Sequence, residues 1–251
     1  MPSLMTWVML LCALFITSSA SALQQPETTP PKIAIVIDDL GHHRSQQRFA
    51  TLPGALTLAI LPHAPYATTL AEHATENGKE IIIHMPMEAV ASSSDDLGVL
   101  RATTSHTDLV AQLEQAFVQL PQAVGLNNHM GSHLTTLAEP MHWVMTELAK
   151  RQLYFLDSRT SAATQAEQIA RQVGVATARR HIFLDNTPQY ESIQERWQAL
   201  LQHAAQHGSA IAIAHPHRAT YEFLAEQLPQ LADNGVQLVF VSELVQPPTT
   251  E

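Results

Sequence analysis

The chain holds one cysteine, Cys12, in 251 residues. No intrachain disulfide can form, so the fold must rest on its own core, and a metal site in the body of the chain must use His, Asp or Glu in place of thiolate. Charge is also sparse, at 14% Asp, Glu, Lys and Arg, and the positive sign is the scarcer: 13 Lys+Arg against 23 Asp+Glu give a formal −10. The basic residues are scattered, with no cluster longer than Arg179-Arg180. That excludes nucleic acid as the expected partner, because such affinity rests on Lys and Arg neutralising phosphates. Glycines number nine and form no Gly-rich loop, so a phosphate-cradling site is a poor expectation.

What is present is apolar mass and histidine. At 27.6 kDa and 45% apolar residues the chain is long enough to bury a large core, which rules out disorder for most of it. Histidines number 14. Histidine is the commonest metal ligand and the usual proton shuttle near neutral pH, so its spacing carries the functional question.

Residues 5–17 form an apolar run of 13, too short to cross a hydrocarbon core, followed by the small-residue sequence Ala20-Ser21-Ala22. This pattern predicts a secretory signal peptide over 1–22 and export, most consistent with a bacterial periplasm, with no membrane span left after cleavage. The stretch Met1 to Leu4 carries no Lys or Arg, and an uncleaved anchor is the alternative. Leu11 is too large for the small residue that precedes a lipoprotein cysteine. Residues 23–31 (LQQPETTPP) read as a Pro-rich tether and 246–251 (QPPTTE) as a tail.

Between them, β-branched or aliphatic runs at 32–37, 56–61, 80–83, 123–127, 153–156, 181–184, 209–214 and 236–241 alternate with helix-period segments at 66–77, 107–120, 132–151, 164–173, 190–207 and 218–234. Four helical segments end at glycine (Gly78, Gly174, Gly208, Gly235), as helices often do. Strand and helix alternating throughout predict an α/β fold over 32–245: one domain, a distorted (β/α) barrel of about seven parallel strands, with an open doubly wound sheet as the alternative.

In either architecture the active site lies beyond the carboxyl ends of the strands. The residues found there are Asp38-Asp39, His84 with Glu88, Asn127-Asn128-His129 with His133, Asp157 with Arg159, Asp185-Asn186, and His215 with His217. Any one of these has an ordinary explanation as a turn former or helix cap. Acids and histidines at six strand ends together point to one convergent site.

His129 and His133 (HMGSH) have the spacing that would put both rings on one helical face, able to share a cation with a carboxylate from elsewhere. A second pair with that spacing, His203 and His207, lies in the last turns of an amphipathic helix and reads as a surface feature. Two adjacent acids at one strand end cannot both bury their charge cheaply. A cation would neutralise one and leave the other, Asp38 or Asp39, to act as a base toward water that the cation activates. His215 is placed to give a proton to a leaving group. Trp143 and Trp197 read as core, Met85, Met87 and Met130 as filler near the site, and His42 and His43 as surface residues at a helix start.

Taken in order, IDDLG, HMPME, NNHMGS, LDSRTS and AIAHPH resemble the divergent polysaccharide deacetylases, and the resemblance runs from about Lys32 to Val245. It implies metal-dependent hydrolysis of an N-acetyl group on an envelope glycan, peptidoglycan being one candidate, with the glycan as the partner and no protein partner indicated. Carried onto this sequence, it makes Asp38 the general base, Asp39, His129 and His133 the metal triad, and His215 the general acid. The metal it implies is divalent, with Zn²⁺ foremost and Co²⁺, Ni²⁺, Fe²⁺ or Mn²⁺ compatible with the same ligands. The Arg-Pro and Asp-x-x-Asp-Trp motifs of better-studied deacetylases are missing. Arg159 takes the first place, expected to hold an acid, and Asp185 the second. His84 and Glu88 are extra and would line the groove or add a ligand, with Asp185 and His217 also lining it. The competing reading is a catalytically silent glycan-binding or envelope-assembly protein on the same fold.

Overall fold

The computed structural model describes residues 30–91 and 97–247, so the expected signal peptide and most of the tether lie outside the described residues. Among the described residues nine strands form one sheet: β1 Lys32–Leu40, β2 Leu56–Ile60, β3 Glu80–Met87, β4 Gly125–Met130, β5 Tyr154–Asp157, β6 Thr177–Arg179, β7 Ile182–Phe183, β8 Ser209–Ala214 and β9 Gln237–Leu238. Their order is β6-β5-β4-β3-β2-β1-β8-β7, with β9 on β1, and every ladder is parallel. The two edge strands, β6 and β7, are separated in sequence only by Arg180 and His181. The sheet must therefore curl until its edges nearly meet, which makes it a distorted barrel with a seam in place of the last ladder. The α-helices of the described residues, six in number, pack outside: α1 Ala67–Glu76, α2 His106–Gln119, α3 Ala138–Arg151, α4 Ala166–Val173, α5 Tyr190–His207 and α6 Arg218–Gln227.

Alternation along the strands divides the apolar residues into two cores. Ile33, Ile35 and Ile37 of β1 face the helices together with Leu56, Leu58 and Ile60 of β2. Ala34, Val36, Ala59, Ile82, Leu156, Ile211 and Ile213 fill the barrel instead. The lower end is stoppered by Tyr154, whose hydroxyl donates to Glu80 Oε1 at 2.8 Å, the same oxygen that accepts from Thr57 Oγ1 at 2.8 Å. Gly125 is required beside it, since a Cβ there would stand 2.6 Å from the Tyr154 ring.

Element boundaries differ from the sequence expectation where local chemistry intervenes. The helix expected from 132 begins only at Ala138, after a single 3₁₀ turn at Leu134–Thr136, with Pro140 in its first turn where a missing N–H costs nothing. The helix expected over 218–234 stops at Gln227, because Pro229 cannot continue it and a 3₁₀ turn takes over. The helix start expected at His42 and His43 is there, as a 3₁₀ helix at Arg44–Thr51 with His43 as its N-cap, whereas the short β6 has no counterpart in the expected elements. The expected tail also begins later than 246: Gln246 bridges Thr177 on the free edge of β6.

Candidate metal and acid–base site

The barrel-facing positions of β1, β3, β4 and β8 change from apolar to polar at the carboxyl end: Asp38 after Val36, His84 after Ile82, Asn127 after Gly125, His215 after Ile213. Strict alternation would turn Asp39 outward. It does not, because β1 carries a bulge: Ile37 pairs with Leu58 and Leu40 with Ile60, three residues of β1 against two of β2. Asp39 takes a left-handed backbone (φ 56°), and Gln46 Nε2 donates to its carbonyl at 3.3 Å. Asp39 thereby reaches the mouth, while Asp38 beside it stays buried.

Asn127 is the hub of the buried part. Its Nδ2 donates to Asp38 Oδ1 at 2.9 Å and to Ser158 Oγ at 3.3 Å, and its Oδ1 meets His84 Nδ1 at 2.7 Å. His84 Nε2 lies 3.0 Å from Asp39 Oδ1 and 3.6 Å from Asp38 Oδ2. His129 Nδ1 lies 2.8 Å from the same Asp39 oxygen and 3.1 Å from His84 Nε2. Burial pushes the Asp38 carboxyl above its ordinary range, with His84 and Asn127 acting the other way. Asp39 is driven strongly down: burial opposes its charge, but the bonds from His129 and His84 outweigh that. His84 is raised, since the Asp38 and Asp39 charges overcome the burial that disfavours its cation.

Across the mouth stands a second pair. Asp185 Oδ1 meets His215 Nδ1 at 2.8 Å, and Asp185 Oδ2 accepts from the His215 backbone N–H and from Thr220 Oγ1, both at 2.6 Å. Burial works against the His215 cation, yet Asp185, with Asp38 and Asp39 behind it, lifts its pKa to about 9. A cavity of about 490 Å³ opens between the two groups, lined by Asp39, Asp185, Asn186, His215 and His217. His42 and His43, read from sequence as plain surface, line it too.

The remaining expected residues fall elsewhere. His133 does not share a face with His129: Met130 (φ 54°) and Gly131 (φ 82°) turn the chain sharply after β4, so the four-residue spacing is not helical. The His133 ring sits on Glu88 instead, Nδ1 to Oε1 at 3.2 Å. Asp157 is held by Thr164 Oγ1 and by the Arg159 backbone N–H, and no acid lies within ion-pair distance of the Arg159 guanidinium among the described residues. The arginine that works here is Arg180. From the seam it donates to the carbonyls of Ser158 (2.7 Å) and Arg159 (2.9 Å) and stacks 3.7 Å above the Phe183 ring. Sequence reasoning missed Arg180, and it placed Asn127 at the fourth strand end without giving it a role; the signal for that role is an amide in mid-strand, where no turn needs it.

One carboxylate oxygen and two imidazole nitrogens converging within 3.1 Å are the donor set that borderline divalent ions prefer, so these residues fit a metal. With Asp39 on one side of the cavity and the Asp185–His215 pair on the other, at the carboxyl ends of a curled parallel sheet, the fold is a deacetylase-like (β/α) barrel. The chain belongs to the divergent polysaccharide deacetylase family, whose pattern matches residues 35–245. It is 36% identical over 231 residues to an uncharacterized protein of Haemophilus influenzae, covering 92% of this chain and 82% of that one. Against the uncharacterized protein YibQ of Escherichia coli the identity is 35% over 221 residues, or 88% and 69% of the two chains. Among solved structures, the uncharacterized protein ATU2773 of Agrobacterium tumefaciens superposes with a TM-score of 0.83 at 22% identity, over 88% of this chain and 92% of that one. Two more distant structures share the fold. The peptidoglycan deacetylase PdaC of Bacillus subtilis has TM-score 0.52 at 14% identity, covering 86% and 90%. A mutant of BA3943, a pseudoenzyme of carbohydrate esterase family 4, has TM-score 0.53 at 14%, covering 90% and 70%. Among the described residues no helix is long and apolar enough to cross a membrane.

Proposed function

We propose that the protein is an exported, metal-dependent hydrolase that removes N-acetyl groups from an envelope glycan. The observation that carries this reading is one cavity with Asp39, the carboxylate of the three-donor cluster, on one side and a carboxylate-held histidine on the other. Asp39 and His129 would hold the metal, Zn²⁺ being the leading candidate. When bound, it supplies Lewis-acid polarisation of the acetyl carbonyl and a lower pKa for the attacking water.

The protein's own groups do the rest. Asp38 takes a proton from the attacking water, and its raised pKa makes it a stronger base than an exposed carboxylate. Asn127 holds one oxygen of that carboxylate, and the other lies 3.6 Å from His84 Nε2. His215, kept protonated by Asp185, gives its proton to the sugar nitrogen as the C–N bond breaks, and acetate and a free amine leave. His217 and Asn186 line the groove on the acid's side.

The test is acetate release from N-acetylated glycans by the zinc-loaded mature chain. Asp38→Asn should cut the rate by about 100-fold or more, the usual worth of a general base. The silent glycan-binding reading is kept by one observation, that the fold also accommodates a pseudoenzyme. It predicts glycan binding without acetate release, and equal behaviour of wild type and Asp38→Asn.

A further inference from the structure

The third protein ligand of a metal in this site is open: the four-residue spacing nominates His133, whereas the folded chain brings His84 to the cluster. We infer that His84, from β3, completes the ligand set with Asp39 and His129, and that His133 stands outside it; this rests on the metal-dependent reading above.

Hydrogen-bond polarity orients the Asn127 amide. Asn127 Nδ2 faces the Asp38 carboxylate, which accepts, so Asn127 Oδ1 must be the atom that faces His84 Nδ1 at 2.7 Å. The hydrogen of a neutral His84 therefore sits on Nδ1, and Nε2 presents a lone pair. That lone pair meets the Asp39 carboxylate oxygen at 3.0 Å and His129 Nδ1 at 3.1 Å, while the last two are 2.8 Å apart. Asp39 Oδ1, His84 Nε2 and His129 Nδ1 thus converge on one another closely enough for a single cation to take all three as ligands, each imidazole offering a lone pair there when its hydrogen is on the other nitrogen. Donors on one tetrahedral ion with bonds of about 2.1 Å stand about 3.4 Å apart, close to the spacing found here.

The support behind His84 is also what a ligand needs. An imidazole whose other nitrogen donates to a fixed carbonyl oxygen is locked in tautomer and orientation, and Asn127 is itself locked by Asp38 and Ser158. His133 has none of this. Its ring is spent on Glu88, whose other oxygen accepts from the Ala102 backbone N–H at 2.5 Å, and the left-handed Met130-Gly131 turn carries it away from His129.

The experiment needs no substrate. Zinc is added to the full mature chain, prepared without a His tag and labelled with ¹⁵N-histidine, and the imidazole nitrogens are followed by long-range ¹H–¹⁵N spectra, with His84→Gln, His129→Gln and His133→Gln assigning the signals. The expected result is that His84 Nε2 and His129 Nδ1 shift on binding while His133 does not. Zinc affinity measured by competition with a chromophoric chelator should then fall more than about 100-fold in His84→Gln, since even outer-sphere partners are worth 10–100-fold, and change little in His133→Gln. Because the spectra are those of the wild type, misfolding of a variant cannot mimic the result. Shifts at His133 with His84 unmoved overturn the ligand set alone. Zinc that binds nowhere in the wild type overturns the metal-dependent reading itself, and the ligand set with it.

Discussion

His215 should make the protein lose stability as pH rises between about 6.5 and 9. The cause is Asp185: burial opposes the His215 cation, but the carboxylate at 2.8 Å, aided by the Asp38 and Asp39 charges, lifts the folded pKa to about 9. In the unfolded chain the imidazole returns to about 6.5. Below that value both states are protonated and the full stabilisation is present. Between the two values the folded state alone holds the proton, so unfolding becomes easier by about 1.4 kcal/mol per pH unit, and above pH 9 the contribution is gone. The side chain is only 25% exposed, so solvent screens it weakly, and the total comes to about 3 kcal/mol. His181, pushed down to about 4 by burial, acts with the opposite sign, destabilising the fold as pH falls through 6.5 toward 4, and its window does not overlap. The assay is urea unfolding of chelator-treated protein at pH 6 and pH 9.5, wild type beside His215→Asn. Wild type should lose about 3 kcal/mol more than the variant over that interval. Equal losses would refute the reasoning, because the Asp185–His215 pair would then be no stronger folded than in water.

Three further substitutions probe the frame. Asn127→Leu keeps the volume but strips the buried Asp38 and His84 of a partner each, and at about 1–3 kcal/mol per orphaned group urea unfolding should register a loss of at least about 2 kcal/mol. Gly125→Ala puts a methyl 2.6 Å from the Tyr154 ring at the barrel floor and should cost about 1–3 kcal/mol, read in the same way, with Tyr154 displaced from Glu80 in a crystal structure of the variant. Arg180→Met removes two charge-assisted bonds across the seam and should lower stability by about 3 kcal/mol; Arg180→Lys, able to keep the charge but not the fork, should recover only part of it, and full recovery would show that charge alone matters.

The fold was legible in the sequence because period decides it. Runs such as IAIVI and AIAIA are buried on both faces, as barrel strands are, and the segments between them keep a helical repeat. Asp38 and His215 were legible for the same reason: each continues an alternating strand by one inward step, so counting from Val36 or Ile213 finds it. His84 and Asn127 keep period too, one inward step beyond Ile82 and Gly125, whereas three other residues depart from it. Asp39 reaches the mouth through a bulge, His133 leaves it through a left-handed turn, and Arg180 acts from a seam that exists only because β6 and β7 end the sheet from opposite sides.

These departures share a physical form. Of the four non-glycine residues with positive φ among the described ones, Asp39, Met130 and Arg159 lie at the ends of β1, β4 and β5 around the mouth, at φ 56°, 54° and 52°. Such backbone costs on the order of 1 kcal/mol per residue and persists only where the surroundings enforce it. Here they do: Gln46 binds the Asp39 carbonyl, Asn128 and Thr160 both donate to the Met130 carbonyl at 2.7 Å, and Arg180 binds that of Arg159. A residue read only by its place in a strand is assigned the face that alternation dictates. Where the backbone is held off that path, the side chain delivered to the mouth changes: the bulge brings Asp39 in and the Met130-Gly131 turn takes His133 out, while His84 stays on the regular alternation of β3.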